Sequence, residues 1–532
     1  MSFACPHTDV ELPDLGLHAF LFAGLGPADL DRVALVSAES GESLTYGSFQ
    51  TRVDGFAAEL VARGVGPGDA VALLCPNTPA FAVAFHGILR AGATVTTVNL
   101  LSTAAEIAKQ LTAAGARTLV TVTALAATAQ EATGTAGLDA DAILLLDAGR
   151  RPASASGPLP APDRFDPAER VAVLPFSSGT TGVPKGVMLT HRNLVANITQ
   201  LTPVLDVRSD DVVLAALPFF HIYGMTVLLN STLAARGRIV TMARFDLTVF
   251  LEAVQRHRVT YLYIAPPIAV ALAKHPLVDS YDLTSLRAIV SGAAPLDEEL
   301  GAAVSRRLSV PVVQGFGMTE LSPVSHVVPV ADGGAGIAGR RAPVAAVGWP
   351  VPNTVNKLVD PATGAEIDVP AEGLSEPGEL WVHGPNVMAG YLGNPEATAE
   401  TLDADGFLHT GDLARVDSTG CVYIVDRIKE LIKYKGYQVA PAELEALLLT
   451  HPDIADAAVI GVADAEGEEI PKAFVVTGDP ALSAGQVMEF VAAQVAPYKK
   501  VRAVEFIAAI PKSAAGKILR KELRAGAALH GR

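Results

Sequence analysis

The chain of 532 residues has only 3 cysteines, Cys5, Cys75 and Cys421, an odd number spread along its length. That usage excludes a disulfide framework and a cysteine-based zinc site, and leaves inert thiols. Basic charge is also short: 40 Lys and Arg stand against 56 Asp and Glu, a formal net charge of −16. Such a surface repels polyanions, so nucleic acid is excluded as a general partner and an anionic ligand must be met by local basic groups. Long apolar runs are missing too. Although 50% of the residues are hydrophobic, alanine supplies much of that. Gly, Pro or charges break every stretch before the roughly 20 residues needed for a membrane span. The first 17 residues carry acids and prolines where a secretory signal has a basic start and an apolar centre. The chain ends His530-Gly531-Arg532 instead of in the peroxisomal Ser-Lys-Leu. The expected compartment is therefore the cytoplasm.

What is there is a rhythm. Apolar runs at 71–74, 94–98, 118–122 and 143–146 alternate with helical patterns at 80–90 and 104–114. The alternation resumes with runs at 212–217, 238–241, 261–264 and 288–290 and helical patterns at 248–257 and 296–307. It predicts mostly parallel sheets covered by helices. From 336 to 384 the text turns to Gly, Pro and short β-like pieces, which predicts a small antiparallel sheet or barrel, and 153–168 reads as a surface loop. A second unit begins near Asp426, with helices at 441–449 and 486–495 and strands at 457–461 and 503–507. At 532 residues the chain exceeds what one core usually supports, so more than one domain is expected.

The most specific stretch is Ser177-Ser178-Gly179-Thr180-Thr181-Gly182-Val183-Pro184-Lys185-Gly186, which follows an apolar run at 171–176 read as a buried strand. Glycines let the main chain approach phosphate oxygens, the hydroxyls add donors and Lys185 brings a mobile charge, so the loop predicts ATP. It is not a Walker A loop, in which Ser or Thr follows the lysine; here Gly186 does. A plain Ser/Thr/Gly linker would not end in Pro-Lys-Gly before an apolar segment.

Further motifs suit the same ligand. In Gln314-Gly315-Phe316-Gly317-Met318-Thr319-Glu320, glycines flank an aromatic. This predicts tight backbone turns and a flat face for a purine, with Thr319 toward phosphate and Glu320 toward Mg2+. Gly406-Phe407-Leu408-His409-Thr410-Gly411-Asp412 supplies a carboxylate able to take two hydrogen bonds from ribose hydroxyls; alone it reads as a turn. Residues 426–439 pack cations around one glycine, which alone is a solvated hairpin. Pro511-Lys512-Ser513-Ala514-Ala515-Gly516-Lys517-Ile518 sets Lys517 after a flexible turn, and alone that is a surface lysine.

Together and in this order, the motifs resemble the adenylate-forming superfamily of acyl-CoA synthetases, luciferases and peptide-synthetase adenylation domains, over nearly the whole chain. Pro218-Phe219-Phe220-His221-Ile222-Tyr223-Gly224, residues 315–320 and Lys433-Tyr434-Lys435-Gly436-Tyr437-Gln438-Val439-Ala440-Pro441 are most similar to its 4-coumarate:CoA ligase branch. The resemblance implies an α/β fold: a large N-terminal domain, 1–426, of two α/β subdomains plus a β-barrel, and a small α+β lid, 427–532. It implies ATP, Mg2+ and CoA, and two steps: an acyl adenylate with release of pyrophosphate, then an acyl-CoA thioester with release of AMP.

Residue roles follow from the same resemblance. Lys517 bridges the substrate carboxylate and the α-phosphate, and Lys429 is the hinge. Asp412 and Arg427 hold the ribose, and Gln438 lies near the adenylate. Ser177, Ser178, Gly179, Thr180, Thr181, Gly182, Lys185, Ala293, Gln314, Gly315, Phe316, Gly317 and Thr319 hold the nucleotide, with Phe316 where a tyrosine commonly stacks on adenine, and Glu320 holds the metal. His221 gates the pantetheine channel, against the simpler reading of a packed pocket histidine, and Arg244, Lys433, Lys435 and Gly436 meet CoA. Tyr223, Gly224, Ala293, Gln314, Gly315, Pro323, Val324 and Val327 line an acyl pocket suited to an aryl or medium-chain acid. Gly224 stands where plant ligases often carry a larger residue, which loosens the expectation of strict 4-coumarate preference. The expected function is a carboxylic acid:CoA ligase for 4-coumarate or related aromatic acids. Its alternatives are a medium-chain fatty acid:CoA ligase and an adenylating enzyme loading a carrier-protein thiol. The 433–435 loop and Arg244 favour free CoA. A luciferase-type oxidase is a more distant reading, and monomer and homodimer both stay open.

Overall fold

The computed structural model describes residues 2–147, 165–177, 185–330, 342–435, 437–464, 469–513 and 516–530. The loop predicted at 153–168 therefore falls largely outside the described residues. The predicted alternation builds two sheets. The first runs in the order Gly390–Tyr391, Lys185–Thr190, Val171–Val173, Thr94–Thr97, Ala70–Leu74, Thr118–Thr121 and Ile143–Leu145, with Phe176–Ser177 beside Lys185–Thr190. Its middle strands are parallel. Both of their faces are covered, which explains an unbroken buried run such as Val71-Ala72-Leu73-Leu74. The run at 171–176 is not one strand. Pro175 has no N–H for the ladder, and pairing with Lys185–Thr190 resumes only at Phe176–Ser177.

The second sheet runs Trp349–Pro350, Val324–Val327, Val312–Gly317, Ala288–Ser291, Tyr261–Ile264, Val212–Ala215, Arg238–Thr241, Val33–Ser37 and Ser43–Thr45. It is parallel in the middle and antiparallel at both ends. Here the structure corrects the turn expected around Phe316: Gln314 to Gly317 lie in the strand Val312–Gly317, held by antiparallel pairing with Val324–Val327. Neither Gly315 nor Gly317 has a positive φ. The chain turns only afterwards, at Thr319–Leu321.

One buried cluster joins the sheets, and separate clusters lie on the other faces of the two parallel ones. The helix Pro79–Arg90 is buried continuously from Phe81 to Leu89, as befits a helix apolar all round. The third sheet is antiparallel, as predicted. It has six strands, in the open order Phe3–Ala4, Val355–Val359, Gly378–His383, Leu408–Val416 and Val422–Arg427, with Glu366–Ile367 beside Val355–Val359.

The C-terminal unit has its own core around Val439, Leu444, Leu448, Val459, Val475 and Val487. Its sheet combines Ile454–Ala463, Glu469–Thr477 and Ala503–Phe506. The strand Glu469–Thr477 and the last helix, Arg520–His530, were not foreseen from the apolar runs. Arg520 fastens that helix by donating to the buried Glu445 carboxylate at 2.6 Å. Among the described residues no helix is long and apolar enough to cross a membrane.

Candidate active site

Strand ends from the body and one loop of the C-terminal unit meet in a cleft. Asp412 lies on Leu408–Val416, opposite Arg427 at the end of Val422–Arg427. The Arg427 Nε stands 3.2 Å from Asp412 Oδ1. Asp412 is buried, and its Oδ2 has no partner among the described residues. Burial raises the Asp412 carboxyl, and the charges of Arg427 and Lys517 hold the rise back. A buried acceptor without a donor is costly. Ribose hydroxyls would satisfy it.

Lys517 is open to solvent along the cleft, yet enough protein surrounds its ammonium that burial lowers it to about 8. Arg427 adds to that drop, while Asp412 and Glu430 oppose it. The same ammonium faces His221. Burial, and then the Lys517 charge, lowers that imidazole to about 4, so the ring is neutral at pH 7. His221 Nδ1 accepts from the Tyr223 N–H at 3.3 Å, which leaves the ring proton on Nε2. The Lys517 loop rests on the body. Gly516 has φ +82, and a Cβ there would stand 3.3 Å from Ala265 Cβ and 3.5 Å from Pro267. Two hydrogen bonds add to the docking. Lys274 Nζ donates to the Leu449 carbonyl at 3.4 Å. Asp426, on the last body strand, accepts the Ala442 N–H at 2.9 Å in the first turn of Pro441–Thr450.

A second cluster lies where the glycine-rich loop re-enters the sheet. Lys185 Nζ sits 4.8 Å from the centre of the Tyr391 ring. The Tyr391 hydroxyl donates to Glu320 Oε1 at 2.9 Å, and Glu320 is buried. Sequence reasoning missed Tyr391; its only signal was Gly390-Tyr391 after a Pro-Asn pair. Among the described residues no group of three or more His, Cys, Asp or Glu side chains is placed to hold a metal. One carboxylate suits Mg2+ arriving on nucleotide phosphates, since that ion keeps waters and takes few protein ligands. Ser178, Gly179, Thr180, Thr181, Gly182 and Gly436 lie outside the described residues, and only the main chain of Ser177 is described.

The pocket residues sort themselves. The Tyr223 hydroxyl donates to the Val290 carbonyl at 3.2 Å, and its ring lies against Gly292, where a Cβ would approach to 2.9 Å. A Cβ on Gly224 would come within 2.2 Å of the Pro218 carbonyl oxygen, so glycine is required by the backbone at that point, whatever the width of the pocket. Gly315 is paired with Val327, and Gly317 packs on the Pro323 carbonyl, which a Cβ would strike at 2.2 Å. Val324 is locked by Asn197 through both its N–H and its carbonyl, at 3.1 and 2.7 Å. Gln314 uses its amide on the wall: Oε1 accepts from Leu296 N–H at 2.7 Å, and Nε2 donates to the carbonyls of Leu296 and Val344. It holds the turn that contains Ala293, which has φ +70. Phe316 is half-buried, its ring 6.1 Å from that of His326, and Thr319 is half-buried beside Glu320.

The remaining residues lie elsewhere. Lys429 and Arg244 are exposed. Lys433, Lys435 and Gln438 are exposed on the hairpin Ile432–Tyr434 and Tyr437–Val439, whose partners belong to its own unit. There the Lys433 N–H donates to Glu469, and Lys435 lies over the Tyr434 ring.

A family model for AMP-binding enzymes matches residues 27–392, and one for the AMP-binding enzyme C-terminal domain matches residues 443–517. The chain is similar to 4-coumarate–CoA ligase 5 of Oryza sativa subsp. japonica, at 43% identity over 97% of this chain and 96% of that one. Among solved structures, the anthranilate CoA ligase AuaEII in complex with anthranoyl-AMP superposes with a TM-score of 0.87 at 26% identity, covering 98% of this chain and 99% of that one. ATP-bound MatB from Rhodopseudomonas palustris gives 0.84 at 30% identity, over 96% of this chain and 98% of that one. The apo form of the same protein gives 0.74. The chain belongs to the AMP-binding enzyme family of adenylate-forming ligases.

Proposed function

We propose that this chain joins a carboxylic acid to CoA in two ATP-driven half-reactions, and that the acid is 4-coumarate or a related hydroxycinnamic or aromatic acid. The observation that carries the reading is the meeting of Lys517 with His221, Asp412 and Arg427 in one cleft. In the first half-reaction a carboxylate oxygen attacks the α-phosphorus and pyrophosphate leaves. Both reactants are anions, so their repulsion in a cleft of low dielectric must be offset. The Lys517 ammonium bridges them and stabilises the charge that grows on the α-phosphate. Asp412 and Arg427 hold the ribose, the 177–185 loop wraps the phosphates, and Phe316 stacks on adenine. The Glu320 carboxylate, oriented by the Tyr391 hydroxyl, would hold Mg2+, which supplies further charge neutralisation at the phosphates when bound.

In the second half-reaction the CoA sulfur attacks the acyl carbonyl and AMP leaves. The chain divides after Asp426 into body and lid, and Lys429 is the pivot about which the lid exchanges the Lys517 loop for the hairpin that carries Lys433, Lys435, Gly436 and Gln438. Arg244 meets a CoA phosphate, and neutral His221 orients the acyl adenylate beside the thiol channel. The aromatic choice is supported by the 4-coumarate–CoA ligase relative and by the anthranoyl-AMP neighbour. Within the pocket it is supported by the rigid Tyr223 phenol among apolar walls.

The test mixes the protein with ATP, Mg2+, CoA and a panel of cinnamic, benzoic and medium- to long-chain fatty acids, and reads thioesters by mass spectrometry. An arylacyl thioester as main product is expected. Fatty acyl thioesters in its place would refute the aromatic assignment, and acyl adenylate without any thioester would refute CoA as acceptor.

A further inference from the structure

The Asp412 carboxylate does not sit on a regular strand. Glu379 pairs with Leu413 and Trp381 with His409, so Leu380 alone faces Thr410, Gly411 and Asp412. The bulge swings Asp412 into the cleft, and Gly411 pays for the swing with φ +71. Asp412 pairs with Arg427 on the opposite edge, but on the side of Gly378–His383 the bulged segment lacks a regular ladder, and its polar groups there need other ties. The Gly411 carbonyl accepts from the Ile428 N–H at 2.9 Å. Thr410 Oγ1 donates to the Leu380 carbonyl at 2.7 Å and accepts from the Asp412 N–H at 3.1 Å. The Gly411 N–H donates to Glu379 Oε1 at 2.9 Å.

Glu379 is itself fixed. Its other oxygen, Oε2, accepts from Trp381 Nε1 at 2.9 Å. The indole is stacked on the His409 ring at 3.6 Å and an interplanar angle of 16°, with Lys357 Nζ 4.8 Å from its centre. Trp381, itself held by His409 and Lys357 against its ring, thus fixes a carboxylate whose remaining oxygen points at the amide next to Asp412.

We propose that Glu379 is a positioning residue for nucleotide selection: by fixing the Gly411 N–H it holds the bulge that presents the Asp412 carboxylate to the ribose hydroxyls. The inference rests on the reading of Asp412 as the ribose acceptor. Glu379 touches no reacting atom, so its removal acts on discrimination at the sugar and leaves the acid end alone.

The test measures pyrophosphate release by the full chain with ATP, 2′-deoxyATP and 3′-deoxyATP. The unaltered protein is expected to prefer ATP about 10- to 100-fold in kcat/KM, the range of one hydrogen bond to a charged group. Asp412→Asn sets the level at which that preference is lost. Glu379→Ala is expected to bring the preference most of the way to that level, with KM for ATP raised and KM for the acid unchanged. In Glu379→Gln the amide oxygen can accept from Gly411 while its NH2 opposes the indole N–H. Combining it with Trp381→Phe, which keeps the stacked face and removes that N–H, is expected to restore the preference. A Glu379→Ala protein with unaltered sugar preference overturns the proposal, as does a Glu379→Gln/Trp381→Phe protein that fails to regain it. Should Glu379→Ala not fold, Glu379→Gln alone against the double variant makes the same comparison. If the unaltered protein shows no preference, or Asp412→Asn keeps it, the ribose reading itself is wrong and the proposal falls with it.

Discussion

Two loops of the C-terminal unit carry the same kind of side chain in opposite surroundings. Lys517 points into the cleft beside His221, Asp412 and Arg427, where burial lowers its ammonium to about 8. Lys433 and Lys435 stand exposed on the hairpin Ile432–Tyr434 and Tyr437–Val439, against partners of their own unit. The amino acid is the same and the unit is the same; only the facing differs. In the proposed mechanism the charge that acts on two anions is the one whose surroundings loosen its own proton. The charges proposed to meet the mobile cosubstrate stay in water, where their desolvation costs nothing until it arrives.

Removing the inward charge should have the largest effect. Lys517→Ala is expected to slow pyrophosphate release about 100- to 1000-fold. Thioester formation from a supplied acyl adenylate should stay within about twofold, because the proposed mechanism uses that ammonium in the first step alone. Equal losses in both steps would erase the contrast between the loops. Next comes the seat of the inward loop. Gly516→Ala forces a side chain into φ +82 with its Cβ 3.3 Å from Ala265. Small misplacements of a reacting group are expensive, so adenylation should fall by about 10- to 100-fold while the melting temperature changes little. Calorimetry beside the rate assay checks both halves.

The pH profile sharpens the comparison further. The proposed mechanism needs Lys517 protonated, and burial lowers its ammonium to about 8, so kcat/KM for adenylation should decline as pH rises through about 8. Lys517→Arg, charged at every accessible pH, should abolish that decline at a lower plateau. A decline that survives the arginine variant belongs to another group. The smallest effect is expected outside the cleft: Lys435→Ala should leave pyrophosphate release unchanged and raise KM for CoA about two- to fivefold, the worth of an exposed charge contact.

Much of this arrangement is legible in the sequence. Buried parallel strands announce themselves as apolar runs, so Arg238–Thr241 and Tyr261–Ile264 were predicted to the residue. The helix Ala104–Ala114 was placed with the same accuracy, beginning after a Thr103 capping box and ending at Gly115 with φ +64. What escaped depends on partners distant in the chain. The glycines around Phe316 read as a turn because nothing local says that Val324–Val327 will supply a ladder. Glu469–Thr477 carries only the short apolar run Ala473-Phe474-Val475-Val476 behind Pro471 and Lys472, which hides its true length, yet Ile454–Ala463 pairs along the whole of it. Tyr391 became part of the site only because its strand lies beside Lys185–Thr190. Gly224 reads in the sequence as a pocket residue, whereas the Pro218 carbonyl pressing on it dictates glycine.

The hydrogen bond from Ala442 to Asp426 has a consequence for how the molecule is made. The helix Pro441–Thr450 follows Ala440, which has no side-chain group to cap it, and the carboxylate in its first turn comes from a strand of the large body. A detached C-terminal fragment would begin that helix with an unanswered N–H, at a cost of about 1 kcal/mol. Adding the body back would restore the bond. Because Asp426 precedes Ala442 in the chain, the residue that offers the carboxylate is synthesised before the helix that needs it, and the body carries part of the signal that starts a helix in the second unit.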